Sequence, residues 1–178
     1  MEIKTERLKL RLLSKRDVHD IYELCSDPFA SRYSDWHPHN NIWQSQRYIQ
    51  HTLNNARQKK FLTFGIELKI AKKLIGTCSF TEFNYNSTIA QIGYSLSKAY
   101  CGKGYATEAV NAFVDYGLNV LNLQRIEAKV LCENTASIKL LERVGFQKEG
   151  LLKRGAFCKT RCVDIYLYGI ISSKGNNL

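Results

Sequence analysis

The stretch Lys98-Ala99-Tyr100-Cys101-Gly102-Lys103-Gly104-Tyr105-Ala106-Thr107 joins a strand-like segment to a helix-like one. Gly102 and Gly104 allow the backbone to turn tightly and to approach a ligand closely. The amides that follow open a helix, so they lack intrahelical partners and carry the positive end of the helix dipole. Together these features make an anion site suited to a phosphate or pyrophosphate, with Lys103 adding a full charge. Taken alone, the loop reads equally well as a ligand-free strand-to-helix turn. It is not a Walker A loop, since Gly-x4-Gly-Lys-[Ser/Thr] is absent. It overlaps a dinucleotide fingerprint only as Gly102-x-Gly104-x-x-Thr107, without the third glycine. The strand before it closes a meander rather than opening a βαβ unit, which argues against a Rossmann fold.

The segments around the loop have distinct periods. C-terminal to it, Ala106, Ala109, Val110, Phe113, Val114, Leu118 and Leu121 follow helical spacing and predict one long amphipathic helix. Arg125 to Leu131 then reads as a strand. Thr135 to Val144 reads as a helix stopped by Gly145, the position where a left-handed residue ends a helix. Gln147 to Leu152 and Val163 to Ile171 read as the last strands. N-terminal to the loop, Phe61 to Leu68, Leu74 to Phe83 and Ile89 to Ser97 predict three strands of an antiparallel meander, separated by the turns 69–73 and 84–88. Leu8, Leu10 and Leu12 alternate with charged residues as in a half-buried strand. Ser14 with Asp17 caps a first helix running to about Cys25, and a second covers Ile42 to Lys59. The order predicts one mixed α/β domain over residues 1–178.

Composition fits that reading. The 178 residues are 44% hydrophobic and 24% charged, in the globular range and with no run long enough to span a membrane. The N-terminus, Met1-Glu2-Ile3-Lys4-Thr5-Glu6-Arg7, lacks the apolar core of a signal peptide. Six cysteines at 25, 78, 101, 132, 158 and 162 have no Cys-x2-Cys pair, and all four histidines fall in the first third. Neither a zinc site nor a disulfide framework is expected, and the cysteines read as reduced thiols of a cytoplasmic protein. The net charge of +10 raises nucleic acid, an anionic cofactor and acidic substrates as partners. It is evenly spread, however. Residues 1–90 hold 14 Lys/Arg against 9 Asp/Glu, and residues 91–178 hold 12 against 7. No basic tail or nucleic-acid motif accompanies it, so nucleic acid ranks low.

Three elements, in register along the chain, then carry a family resemblance. Tyr100 to Ala109 resembles the acetyl-CoA pyrophosphate loop of the GNAT acetyltransferases. Asn134-Thr135-Ala136-Ser137, continuing to Gly145-Phe146, resembles the Asn-x-x-Ser…Gly-Phe element of that superfamily. Thr5-Glu6-Arg7-Leu8-Lys9-Leu10-Arg11 resembles the opening of its ribosomal-protein N-terminal acetyltransferase-like (RimJ/RimL-like) branch. The resemblance implies a splayed mixed sheet of about six to seven strands flanked by about four helices. It implies transfer of an acetyl group from acetyl-CoA, a cosubstrate, to a primary amine, with no metal. The pantetheine arm would lie between the strands 89–97 and 125–131, against backbone at Tyr94, Ser95 and Leu96. The pyrophosphate would sit on the amides of Gly102, Lys103, Gly104, Tyr105, Ala106 and Thr107, with Cys101 also counted among the cofactor-binding residues. Asn134 and Ser137 would face the far end of the arm, and Lys139 would lie near the pyrophosphate loop, where CoA brings negative charge. Asn134 reads equally as a helix cap, and Ser137 also as a packing serine. By the same resemblance Ser137 would donate to the departing thiolate as the catalytic residue.

Two departures from the family pattern bear on mechanism. Cys101 stands where Gln or Arg is common, and no base adjoins it to activate the thiol. Gln91, in Ala90-Gln91-Ile92-Gly93-Tyr94, stands where relatives usually carry Glu. An amide orients a water but takes no proton, so the obvious general base is missing; Glu82 is a candidate that reads equally as a solvent-facing residue. The loop holding Tyr33, Trp36, His37 and His39 is either an acceptor wall or packing on the sheet. Residues 36–66 contain no acid but do contain Arg47, Arg57, Lys59 and Lys60, which ranks a protein N-terminus, ribosomal or other, above polyamines and drugs. The alternatives kept are a small-molecule amine acetyltransferase and a CoA-binding module without turnover. Either a monomer or a homodimer is compatible with the sequence.

Overall fold

The computed structural model describes residues 1–58, 60–82 and 88–173. Its elements run β1 (Glu2–Lys4), β2 (Leu8–Leu12), α1 (Val18–Ser26), α2 (Ile42–Arg57), β3 (Leu62–Leu68), β4 (Lys73–Thr81), β5 (Ile89–Leu96), α3 (Tyr105–Asn119), β6 (Arg125–Leu131), α4 (Thr135–Val144), β7 (Gln147–Cys158) and β8 (Arg161–Ile171). The strands form one eight-stranded sheet in the order β1-β2-β3-β4-β5-β6-β8-β7. Every neighbouring pair is antiparallel except β5 and β6. The parallel step is made by α3, as a crossover between parallel strands requires.

The sheet has one more strand than the upper expectation, because β1 pairs with β2 through Glu2↔Arg11, Ile3↔Leu10 and Lys4↔Lys9. A single apolar residue in three gives β1 no period to read. The hairpin β7–β8 is also longer than expected, reaching Cys158. Leu151, Leu152 and Phe157 stand exposed there, so the edge strand lacks the alternation that marks a half-buried one. The expected turn 84–88 lies mostly outside the described residues, as do Lys59 and Phe83 at the ends of two expected elements.

The helices form where apolar spacing and caps agree. Ala109, Val110, Phe113, Val114 and Gly117 are the buried face of α3. Phe113 stacks on Phe80 of β4, with ring centroids 4.1 Å apart. Ahead of α1, the Ser14 N–H donates to the Asp17 carboxylate at 2.6 Å, and Arg11 pairs with the same carboxylate at 2.8 Å. The first turn, Lys15–Asp17, is a 3-10 turn from which α1 continues. Gly145 ends α4 at φ 102°, as the sequence predicts.

Two apolar clusters sandwich the sheet. The larger joins β2–β6 and β8 to α3 and α4; the smaller joins Leu13 and Leu74 to Ile21, Leu24, Cys25 and Ile49 of α1 and α2. Phe64 and Ile66 of β3 face the larger cluster. Gly65 between them faces the smaller, where a side chain would overlap Leu74 and Leu13.

Phe113 is fully buried. Phe113→Ala leaves a cavity against Phe80 and is expected to cost about 3–5 kcal/mol, read by urea denaturation; a loss below about 1 kcal/mol would contradict the packing described.

Candidate active site

The central feature is a sheet that opens along its middle. β5 and β6 pair only as Ile89↔Arg125, Ala90↔Ile126 and Gln91↔Glu127. Beyond that point β5 stays on β4, from Ile92↔Phe80 to Leu96↔Gly76. β6 stays on β8, from Ala128↔Tyr168 to Leu131↔Ile165. The facing sides of residues 92–96 and 128–131 therefore carry main-chain donors and acceptors that no strand ladder pairs.

One side-chain contact spans the opening. The Tyr94 hydroxyl and Ser137 Oγ lie 2.6 Å apart, linking β5 to the first turn of α4. Asn134 is the helix cap, its carbonyl accepting from the Ser137 N–H at 3.2 Å. Ser137 is half-buried. Burial pushes the Tyr94 phenol well above its ordinary range, against a smaller opposing effect of the Ser137 hydrogen bond. The Tyr94 phenol therefore keeps its proton at neutral pH. Lys139 is exposed on the same helix.

The glycine loop sits at the C-terminal side of β5. Gly102 and Gly104 have φ of 76° and 80°, the left-handed region that favours glycine. Gly104 is the cap position of α3 and offers no side chain to its amides. Tyr105, Ala106 and Thr107, half-buried, form the first turn. Lys103 folds back, its Nζ donating to the Ala99 carbonyl at 3.0 Å. The Cys101 thiol rests on the Ser97 carbonyl at 3.6 Å, and burial raises its pKa. That favours the thiol over the nucleophilic thiolate. Cys101, Gly102, Lys103 and Gly104 are all exposed.

At the closed end of the opening, Gln91 Nε2 donates to Thr81 Oγ1 at 3.3 Å. Its Oε1 is buried with no hydrogen-bond partner among the described residues. Glu82 is not a group held at the site: its side chain is 69% exposed, with Lys129 3.8 Å away. The sequence reading overlooked Glu127, register partner of Gln91 on β6, whose carboxylate accepts from Arg125 Nε at 2.8 Å. It also took Tyr94 only for its backbone and gave Arg7 and Glu108 no role. The Tyr94–Ser137 and Arg7–Glu108 contacts join residues 43 and 101 positions apart, a range no local pattern covers.

On the α2 side, His39 Nδ1 is 2.8 Å from Ser45 Oγ, and its ring lies 6.2 Å from Trp36 and 6.3 Å from Tyr48. Burial lowers the His39 pKa and pushes the Tyr48 phenol up to about 12. Trp36 and Tyr48 pack against the smaller core cluster, while His37 is exposed. Among the described residues no group of three or more His, Cys, Asp or Glu is placed to hold a metal ion, and no helix is long and apolar enough to cross a membrane.

The sequence profile of the acetyltransferase (GNAT) domain matches residues 7–147, and the chain belongs to that family. It is 40% identical over 167 residues to the uncharacterized N-acetyltransferase p20 of Bacillus licheniformis, covering 94% of each chain. It is 30% identical to a spermidine N(1)-acetyltransferase of Vibrio cholerae, covering 94% of this chain and 95% of that one. In fold it superposes on Mycobacterium smegmatis RimJ, solved in complex with CoA-disulfide, with a TM-score of 0.89 at 24% identity, covering 99% of this chain and 90% of that one. The chain is an N-acetyltransferase with structural neighbours of the RimJ/RimL type.

Proposed function

We propose that the protein transfers the acetyl group of acetyl-CoA to the α-amine of a protein or peptide N-terminus. The observation that carries the reading is the sheet opening bridged by Tyr94 and Ser137, with the glycine loop at one end. The pantetheine arm hydrogen-bonds the open side of β5 at Tyr94, Ser95 and Leu96. The diphosphate rests on the amides of 101–107, and Asn134, Ser137 and Lys139 flank the cofactor from α4. No metal takes part.

In this reading the neutral amine attacks the thioester carbonyl carbon. The carbon–nitrogen bond forms, and main-chain N–H groups of β5 stabilise the oxyanion. As the tetrahedral intermediate collapses, the carbon–sulfur bond breaks. The departing thiolate accepts a hydrogen bond from Ser137, backed by the buried Tyr94 phenol, and takes up the surplus amine proton through water, so both hydroxyls keep their protons. Ser137 is the catalytic residue in this scheme.

The acceptor class follows from what faces the closed end. Gln91 is an amide, Glu82 stands in water and Glu127 is taken up by Arg125, so no free carboxylate is held ready to take a proton. An α-amine has a pKa of about 7.7–8.0 and a lysine amine about 10.4, so at neutral pH roughly a tenth of the former is already uncharged against well under a thousandth of the latter. A site without a strong base favours the first. A second reading, a polyamine acceptor, is favoured by the name of the Vibrio cholerae relative. Against it stands the acid-free stretch 36–66, which spans α2.

The test compares kcat/KM at pH 7 for a lysine-free peptide with a free N-terminus, an N-blocked peptide with one internal lysine, and spermidine. The free N-terminus is expected to react fastest; faster reaction of either other acceptor would contradict the reading. Ser137→Ala is expected to lower kcat about tenfold to a hundredfold with KM for acetyl-CoA little changed. An unchanged kcat would remove Ser137 from the chemistry.

A further inference from the structure

The opening Thr5-Glu6-Arg7 contributes nothing to the reading above, yet it lies against the glycine loop. Glu108, in the first turn of α3, directs its carboxylate into this segment. It accepts from Thr5 Oγ1 at 2.5 Å, from the Arg7 N–H at 2.9 Å and from Arg7 Nε at 2.6 Å. Burial acts to raise the Glu108 pKa, but these three donors outweigh it and hold the group ionised. Arg7 carries the contact onward. Its Nη1 donates to the Lys103 carbonyl at 3.0 Å, and its guanidinium lies 4.5 Å over the Tyr105 ring. Its Nη2 would be 3.3 Å from a Cβ placed on Gly104. One side chain thus touches Lys103 and Tyr105 and lies beside Gly104 between them.

We infer that Arg7 is a positioning residue that presets the glycine loop for a diphosphate. The inference rests on the reading that this loop holds the diphosphate of acetyl-CoA. The peptide between Lys103 and Gly104 leads into a glycine in the left-handed region, so only the Lys103 side of it carries a side chain to restrain its plane. A trans peptide directs its C=O and N–H to opposite sides. Holding the Lys103 carbonyl therefore turns the Gly104 N–H away from Arg7 and fixes its direction before any ligand arrives. The Glu108 pair does a second job. A bare carboxylate in the first turn of α3 would repel a diphosphate, and Arg7 neutralises it. The fork geometry matters as well as the charge, because Nε and Nη1 serve different partners. A loop ordered in advance loses less entropy on binding. Arg7 acts on capture of the diphosphate, not on acyl transfer.

The experiment measures kcat/KM for acetyl-CoA and for S-acetylpantetheine, which has the same thioester arm without diphosphate or nucleotide. The wild-type enzyme is expected to prefer acetyl-CoA strongly. Arg7→Ala is expected to lower that preference about tenfold, the scale of a misplaced binding group. No preference in the wild-type enzyme would overturn the loop reading itself. A wild-type preference retained in full by Arg7→Ala would overturn the role of Arg7 alone, as would equal losses on both thioesters, which would mark a general structural role. Should Arg7→Ala fail to fold, Arg7→Lys, which keeps the charge and loses the fork, is read on the same ratio with the same outcomes.

Discussion

The organisation of this molecule depends on a parallel strand pairing that stops after Gln91↔Glu127. Each of the two strands keeps a full antiparallel partner on its other side, β4 for β5 and β8 for β6, so the sheet parts without unravelling. Parting exposes main-chain groups that a buried sheet would pair, and unpaired polar groups cost free energy unless water or a ligand satisfies them. An extended, amide-rich arm such as pantetheine matches that need. The crossover helix α3 starts from the end of β5, so its positive N-terminus lies beyond one mouth of the opening. α4 starts from the end of β6 and brings Ser137 to Tyr94. The placement of the glycine loop and of the Tyr94–Ser137 contact follows from the same topology.

Electrostatics refines the opening. The charge of +10 suggests an anionic partner, but Lys103, the cation within the loop, is turned back to the Ala99 carbonyl. The cation that organises the loop is Arg7, and it is neutralised by Glu108. The loop therefore offers main-chain amides rather than a dense positive charge. The remaining excess is spread over the surface, where it opposes a polycationic acceptor more than it recruits an anionic one.

Much of the fold was legible because it is local. The period from Ala106 to Leu121 marks α3, Gly145 marks the end of α4, and Ser14 with Asp17 marks the entry to α1. The glycine loop was legible because φ-positive turns demand particular residues. β1 was not, since three residues with one apolar position carry no period, and neither was the far half of β7, where only Ala156 and Cys158 are half-buried. The candidate site was legible as a set of positions on the main chain. The contacts that give it chemistry were not: Tyr94 meets Ser137, Gln91 sits opposite Glu127 and Arg7 meets Glu108 only after the chain has folded.

The claim at the centre of this account is that the opening between β5 and β6 is the cofactor channel. Amide hydrogen–deuterium exchange with and without acetyl-CoA reads it directly, because amides not held in a ladder exchange quickly until a ligand pairs or covers them. Added acetyl-CoA is expected to slow exchange in residues 92–96 and 102–107 together. Bound acetyl-CoA that protects other segments, with 92–96 exchanging as before, would contradict it.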